Sequence, residues 1–78
     1  ADLYAFKAKT YSKLGKRALQ HQSQAEFYAL QGVLPAAIEQ LQLAQSAGDG
    51  SFYELSSVDA RLKGLREEHT RELREAKK

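Results

Sequence analysis

The chain of 78 residues has no cysteine, no methionine and no tryptophan, one proline and five glycines. Without cysteine it can form neither a disulfide framework nor a thiolate metal site, so packing must stabilise it. No stretch approaches the roughly 20 apolar residues that a membrane-spanning helix requires, which predicts no direct membrane insertion. Because folding of so short a chain removes only roughly 60% of its surface from water, we do not expect a buried enzyme cleft.

The composition favours helices. Hydrophobic residues make up 42% of the chain and charged residues 28%, which is enough for a core and a solvated surface. The chain is rich in Ala, Leu, Gln, Glu, Lys and Arg, whose side chains lose little rotamer freedom in a helix. The fold class predicted is therefore all-α.

Glycines and apolar periodicity divide the chain into helices. Apolar residues recur about every 3.6 residues, and they predict an antiparallel array of four helices within a domain of residues 1–68, at about 2–14, 16–31, 34–47 and 52–68. Asp2 is expected to cap the first helix, and Gly15 and Gly32 to end the first two. Ser51 and Glu54 have the spacing of a capping box that opens the fourth.

The net charge of +2 is unevenly distributed. Residues 1–20 carry five basic groups and one acidic group, residues 21–60 five acidic groups and neither Lys nor Arg, and residues 61–78 seven basic and four acidic groups. This pattern favours solvated helix faces, and its acidic centre opposes nucleic-acid binding. Residues 69–78 are expected to form a charged helical tail that frays.

A short repeat marks the first two helices. Gly15 and Gly32 lie 17 residues apart, and each follows a tyrosine by four residues and an alanine by seven: Tyr11 and Ala8, then Tyr28 and Ala25. This is half of a 34-residue period, the length of the tetratricopeptide repeat.

Residues 25–44, AEFYALQGVLPAAIEQLQLA, resemble the centre of a tetratricopeptide repeat. The matching positions are Ala25, Tyr28, Gly32, Leu34, Ala37, Leu41 and Ala44, and the first helix matches half of the motif at Tyr4, Ala8, Tyr11 and Gly15. The resemblance implies that Ala25 and Ala37 lie where two helices approach most closely, in a right-handed superhelical array. The chain departs from the motif at His21, Gln24 and Asp49, where the repeat usually has Trp, Leu and Pro.

A longer resemblance rests on LGKRALQHQSQAEFYALQGVLPAAIEQLQLA followed by FYELSSVDARLKGLREE. These runs are similar to the C-terminal tetratricopeptide region of bacterial periplasmic zinc metallopeptidases of the beta-barrel assembly-enhancing type. The resemblance implies a periplasmic location and a protein-interaction module that recruits or presents outer-membrane proteins for quality control. It also implies that zinc and the HExxH motif belong to a protease domain outside this chain.

The residues themselves carry no catalytic signal. His21 and His69 are 48 residues apart, on different predicted helices, and a metal site needs three or four converging donors. We therefore expect no catalytic, cofactor or metal residue, and no enzyme activity of this chain by itself.

Partner binding is the predicted role. By the family's pattern the groove positions fall on Ala5, Lys9, Ser12 and Lys13 of the first helix and on Leu19, Gln22, Glu26 and Ala29 of the second. Of these, Lys9, Lys13, Gln22 and Glu26 are the candidate binding residues. Lys9 and Lys13 could meet an acidic or carboxylate-ended peptide, or could simply be two solvated lysines.

One alternative is self-association through a seam of four apolar residues, namely Leu55, Val58, Leu62 and Leu65. A helical domain that binds nucleic acid is a further and less favoured alternative.

Overall fold

The computed structural model describes residues 2–76, with side chains from residue 3 onward. Over this range the chain forms four α-helices and no strand: α1 Asp2–Lys13, α2 Arg17–Leu30, α3 Leu34–Ser46 and α4 Phe52–Ala76. The predicted all-α fold with four helices is confirmed. The capping role predicted for Asp2 concerns a side chain outside the described residues.

The helices form a thin array in chain order. Helix α1 packs on α2, α2 on α3 and α3 on α4, and α2 also touches α4. Because short turns join neighbours that pack together, successive helices run antiparallel, and α2 and α4 run parallel. The array measures 45 × 26 × 14 Å. The right-handed superhelix stays a prediction.

The turns after α1 and α2 have the same construction. Gly15 and Gly32 have φ angles of 72° and 78°, which glycine adopts without the steric cost of a Cβ. The N–H of Lys16 donates to the carbonyl of Tyr11 at 2.9 Å, and the N–H of Val33 to that of Tyr28 at 3.0 Å. A hydrogen bond from a backbone N–H to the carbonyl five residues earlier closes the Schellman motif. The 17-residue sequence repeat is therefore also a repeat of backbone structure.

Gly64 differs from these turn glycines. It lies inside α4 without a positive φ, and a Cβ added there would meet nothing within 4 Å. Gly64→Ala is therefore expected to raise the free energy of unfolding by about 0.5–1 kcal/mol. Gly15→Ala should lower it by roughly 1–2 kcal/mol, because its Cβ would stand in the left-handed region. Urea unfolding followed by circular dichroism measures both changes in the free energy of unfolding. A Gly64→Ala variant less stable than the Gly15→Ala variant would contradict this account of the two glycines.

The core lies between α2, α3 and α4. Its buried members are Ala25, Leu34, Ala37, Leu41, Ala44, Val58, Leu62 and Leu65, with Tyr28, Ala29 and Ile38 packed against them. Ala25 and Ala37 are completely buried in this one cluster, as the close approach of α2 and α3 requires. On α1, Ala8 is buried while Tyr4 and Tyr11 are half-buried, so α1 is the less enclosed edge of the array.

Helix α4 includes most of the predicted tail. It continues to Ala76, so residues 69–76 are helical, as the tail was expected to be; that they fray stays a prediction. Its buried positions end at Leu65, so the last 11 helical residues extend beyond the core. The helix continues because residues 66–76 contain neither Gly nor Pro and are mostly strong helix formers.

The loop between α3 and α4 caps α2. The carboxylate of Asp49 accepts the backbone N–H of Arg17 at 2.6 Å and that of Ala18 at 2.9 Å. Helix α2 has no side-chain cap of its own at Lys16, so Asp49 supplies one from a distant part of the chain. The guanidinium of Arg17 in turn donates to the carbonyl of Ala47 at 3.0 Å, which holds the loop in place.

These backbone donors, Ala18 first and then Arg17, lower the pKa of Asp49 below its ordinary value. A carboxyl group whose pKa is lower in the folded state stabilises the fold above its unfolded pKa, and that stabilisation is lost as the pH falls through the folded value. Asp49→Asn should therefore have a lower urea midpoint than the wild type at neutral pH. The two midpoints should converge as the pH falls below the carboxyl range. A gap that stays constant down to the lowest pH would contradict the ionic cap.

The predicted capping box at the start of α4 is present. The N–H of Glu54 donates to Oγ of Ser51 at 3.1 Å, and the N–H of Ser51 donates to Oε2 of Glu54 at 3.0 Å. Loop 47–51 therefore caps two helices, α2 through Asp49 and α4 through Ser51.

Candidate functional site

A polar groove runs along the seam between α1 and α2. It has a volume of about 350 Å³ and is lined by Ala5, Ala8, Lys9, Ser12, Lys13, Gln20 and Gln24. The groove exists because α1 turns three small residues toward this seam, which leaves room above the buried Ala8. Longer polar side chains from both helices form its walls.

The groove is cationic. Lys9 and Lys13 are exposed and lie one helical turn apart on α1. None of the residues that line the groove is acidic, so no carboxylate within it neutralises the two ammonium groups. All four groove positions predicted on α1, Ala5 and Ser12 included, line this groove; that they bind a partner stays a prediction.

Gln22 and Glu26 lie elsewhere. Nε2 of Gln22 donates to Oγ of Ser57 at 3.2 Å, and Nε and Nη2 of Arg61 donate to the two carboxylate oxygens of Glu26 at 2.6 and 3.1 Å. Both contacts are with α4, so the structure does not bring these residues together with Lys9 and Lys13.

The wall that α2 contributes to the groove is instead Gln20 and Gln24. These positions are offset by two residues from Gln22 and Glu26, which corresponds to about 200° around a helix. The resemblance to a repeat placed every binding position in one groove, but α2 has neighbours on several sides. The i, i+4 spacing of Gln20 and Gln24 sets two amides on one face of α2, but Gln22 and Glu26 have the same spacing, so spacing alone did not distinguish the two pairs.

The contacts between α2 and α4 keep a constant register. Gln22 pairs with Ser57 and Glu26 with Arg61, and the partners are 35 residues apart in both cases. Two parallel helices that meet at a fixed offset near 34 residues are typical of stacked helical hairpins. The ion pair is bidentate, and hydrogen bonding to Glu26 raises the pKa of Arg61. With side chains 43% and 24% exposed, the pair contributes only about 0–1 kcal/mol.

The two histidines have no shared site. Nδ1 of His21 lies 2.8 Å from Oε1 of Gln40, so the histidine links α2 to α3 by a hydrogen bond. His69 lies on α4, beyond the core. Within residues 3–76, no three His, Cys, Asp or Glu side chains are grouped so that they could hold a metal ion.

Comparison with known proteins identifies no relative of the chain: no protein-family model, no curated protein and no solved structure matches it. The class of protein is therefore defined by the fold, an all-α array of four helices with repeat-like features. None of the helices in the described part of the chain combines the length and the apolarity needed to cross a bilayer.

Proposed function

We propose that the chain is a protein-interaction module in which the α1–α2 groove binds an acidic segment of a partner protein. The observation that supports it best is the charge of the groove, two exposed lysines above small residues with no carboxylate among the lining side chains. Opposite charges across an interface speed association and select partners.

Two other surfaces of the array are less suited to this role. Glu26 and Gln22 are hydrogen-bonded to α4, so their polar groups already have partners within the fold. Three residues of the seam considered for self-association, Val58, Leu62 and Leu65, are buried in the core. The proposal therefore does not use either surface.

We further propose that the chain is a tetratricopeptide-like region located in the periplasm. Three observations support the repeat: the two glycine turns 17 residues apart, the buried alanines of α2 and α3, and the 35-residue register of α2 on α4. In this setting the groove recruits or presents outer-membrane proteins to an attached zinc metallopeptidase. An HExxH motif in the same reading frame upstream of this sequence would support that setting, and a frame without one would contradict it.

Removing the groove's charge tests the binding role. Lys9→Ala combined with Lys13→Ala should weaken binding of an acetylated and amidated hexaglutamate peptide by about tenfold, because two exposed charge contacts are lost. Binding should also become less sensitive to salt, and the melting temperature should stay nearly unchanged. Fluorescence-detected titration at two salt concentrations provides the measurement.

The matched control is Lys7→Ala combined with Lys63→Ala. It removes the same charge from positions outside the groove, on α1 and α4. We expect this variant to bind the peptide nearly as well as the wild type. An equal loss of affinity in both double variants would show that only net charge matters and would contradict the groove as the binding site.

A further inference from the structure

The groove has two similar levels. Helices α1 and α2 run antiparallel from the turn at Gly15, so Lys13 and Gln20 lie at the end near the turn and Lys9 and Gln24 lie farther from it. Each level thus pairs one lysine of α1 with one glutamine of α2. Since each pair of like residues is separated by four positions, the levels are about 6 Å apart along the helix axes.

The two residue types at each level suit different groups of a ligand. An ammonium group attracts a carboxylate but can only donate hydrogen bonds, whereas a glutamine amide offers both donors and an acceptor. Backbone N–H and C=O groups are free to pair with such an amide only where the ligand chain is extended, because a helix uses them internally. The two glutamines therefore favour an extended ligand over a helical one.

The distance between the levels selects the spacing of the acidic residues. In an extended chain, side chains at alternate positions lie on one side, about 6.4–6.8 Å apart, while the intervening side chain points away. This distance matches the separation of Lys9 from Lys13 along α1. Adjacent carboxylates would point to opposite sides of the ligand, and only one of them could reach the groove.

We infer that the α1–α2 groove recognises an extended peptide segment with acidic residues at alternate positions, one carboxylate at each lysine. This inference rests on the proposed function and adds to it the conformation and the acidic spacing of the partner. Between the two levels lies Ser12, whose hydroxyl group can donate to or accept from the ligand backbone.

A peptide series tests the spacing. Short Gly-Ser peptides with capped ends, each containing two glutamates placed one, two, three or four residues apart, are titrated into the protein and followed by NMR of the backbone amides. The peptide with alternate glutamates should bind at least about fivefold more tightly than the others, because it alone engages both lysines while extended. Shifts should concentrate on residues 5–13 and 20–24.

Variants connect the preference to the lysines. Lys13→Ala should remove the preference for alternate glutamates, because one level no longer attracts a carboxylate, whereas Lys63→Ala should preserve it. Equal affinity for all four spacings, with binding still dependent on Lys9 and Lys13, would overturn this inference and leave the proposed function intact. Tightest binding of glutamates four apart would indicate a helical ligand and would also overturn it. Absence of binding by every peptide, hexaglutamate included, would overturn the proposed function itself.

Discussion

Leu41→Ala is expected to lower the free energy of unfolding by about 2–5 kcal/mol. Leu41 is completely buried within the cluster that joins α2, α3 and α4, so alanine would remove apolar contacts and leave a cavity. A chain of this size has a total stability on the order of 4–12 kcal/mol, so the substitution should remove a large fraction of the free energy of unfolding. Urea unfolding followed by circular dichroism measures the change.

The control for this prediction is Leu43→Ala, the same substitution two positions along the same helix. Leu43 is 42% exposed, so its truncation removes less buried surface and should cost less than about 1 kcal/mol. If the two variants lost equal stability, the placement of the core on the Leu41 side of α3 would be wrong.

Ala25→Leu and Ala37→Leu are each expected to lower the free energy of unfolding by about 1–3 kcal/mol. Both methyl groups are fully buried between helices that pack directly on one another, and a larger side chain must force α2 and α3 apart. Thermal and urea unfolding give the size of the loss.

Ala60→Leu provides the matched control, because Ala60 is an exposed alanine within α4. It should change stability by no more than about 0.5 kcal/mol. Since Ala25 and Ala37 belong to one cluster, the double variant should also differ from the sum of the single variants. Tolerance of leucine at both buried positions, equal to that at Ala60, would contradict the close contact of these two helices.

Local features of the fold were predictable because they depend on neighbouring residues. Gly15 and Gly32 end helices through backbone geometry that glycine adopts easily, and Ser51 with Glu54 forms its capping box within four residues. The apolar stripe of α3 likewise identifies its buried face, since 3.6-residue periodicity sets Ala37 and Leu41 on one side.

Contacts between distant residues were less predictable. The capping of α2 by Asp49 joins residues 31 and 32 positions apart, and nothing in the local sequence indicates which helix end an exposed loop carboxylate will reach. Within α4, the thinning of the apolar stripe after Leu65 marks the end of the core and not the end of the helix, which continues to Ala76.

The candidate site shows the same division. The sequence placed Lys9 and Lys13 one turn apart on α1, a relation that any helix enforces. Which side of α2 faces them depends on how the two helices rotate against each other, and that rotation follows from packing with α3 and α4. Gln20 and Gln24 therefore line the groove with the lysines, while Gln22 and Glu26 contact α4.

The sequence alone determined that this protein is helical, where the chain turns, and which face of each helix is apolar, because these properties follow from side-chain chemistry over a few residues. Only the tertiary structure decided which polar residues share a groove, which are engaged in joining helices, and how the α3–α4 loop caps α2. Those outcomes depend on the relative rotation and spacing of whole helices, which many weak packing contacts set together.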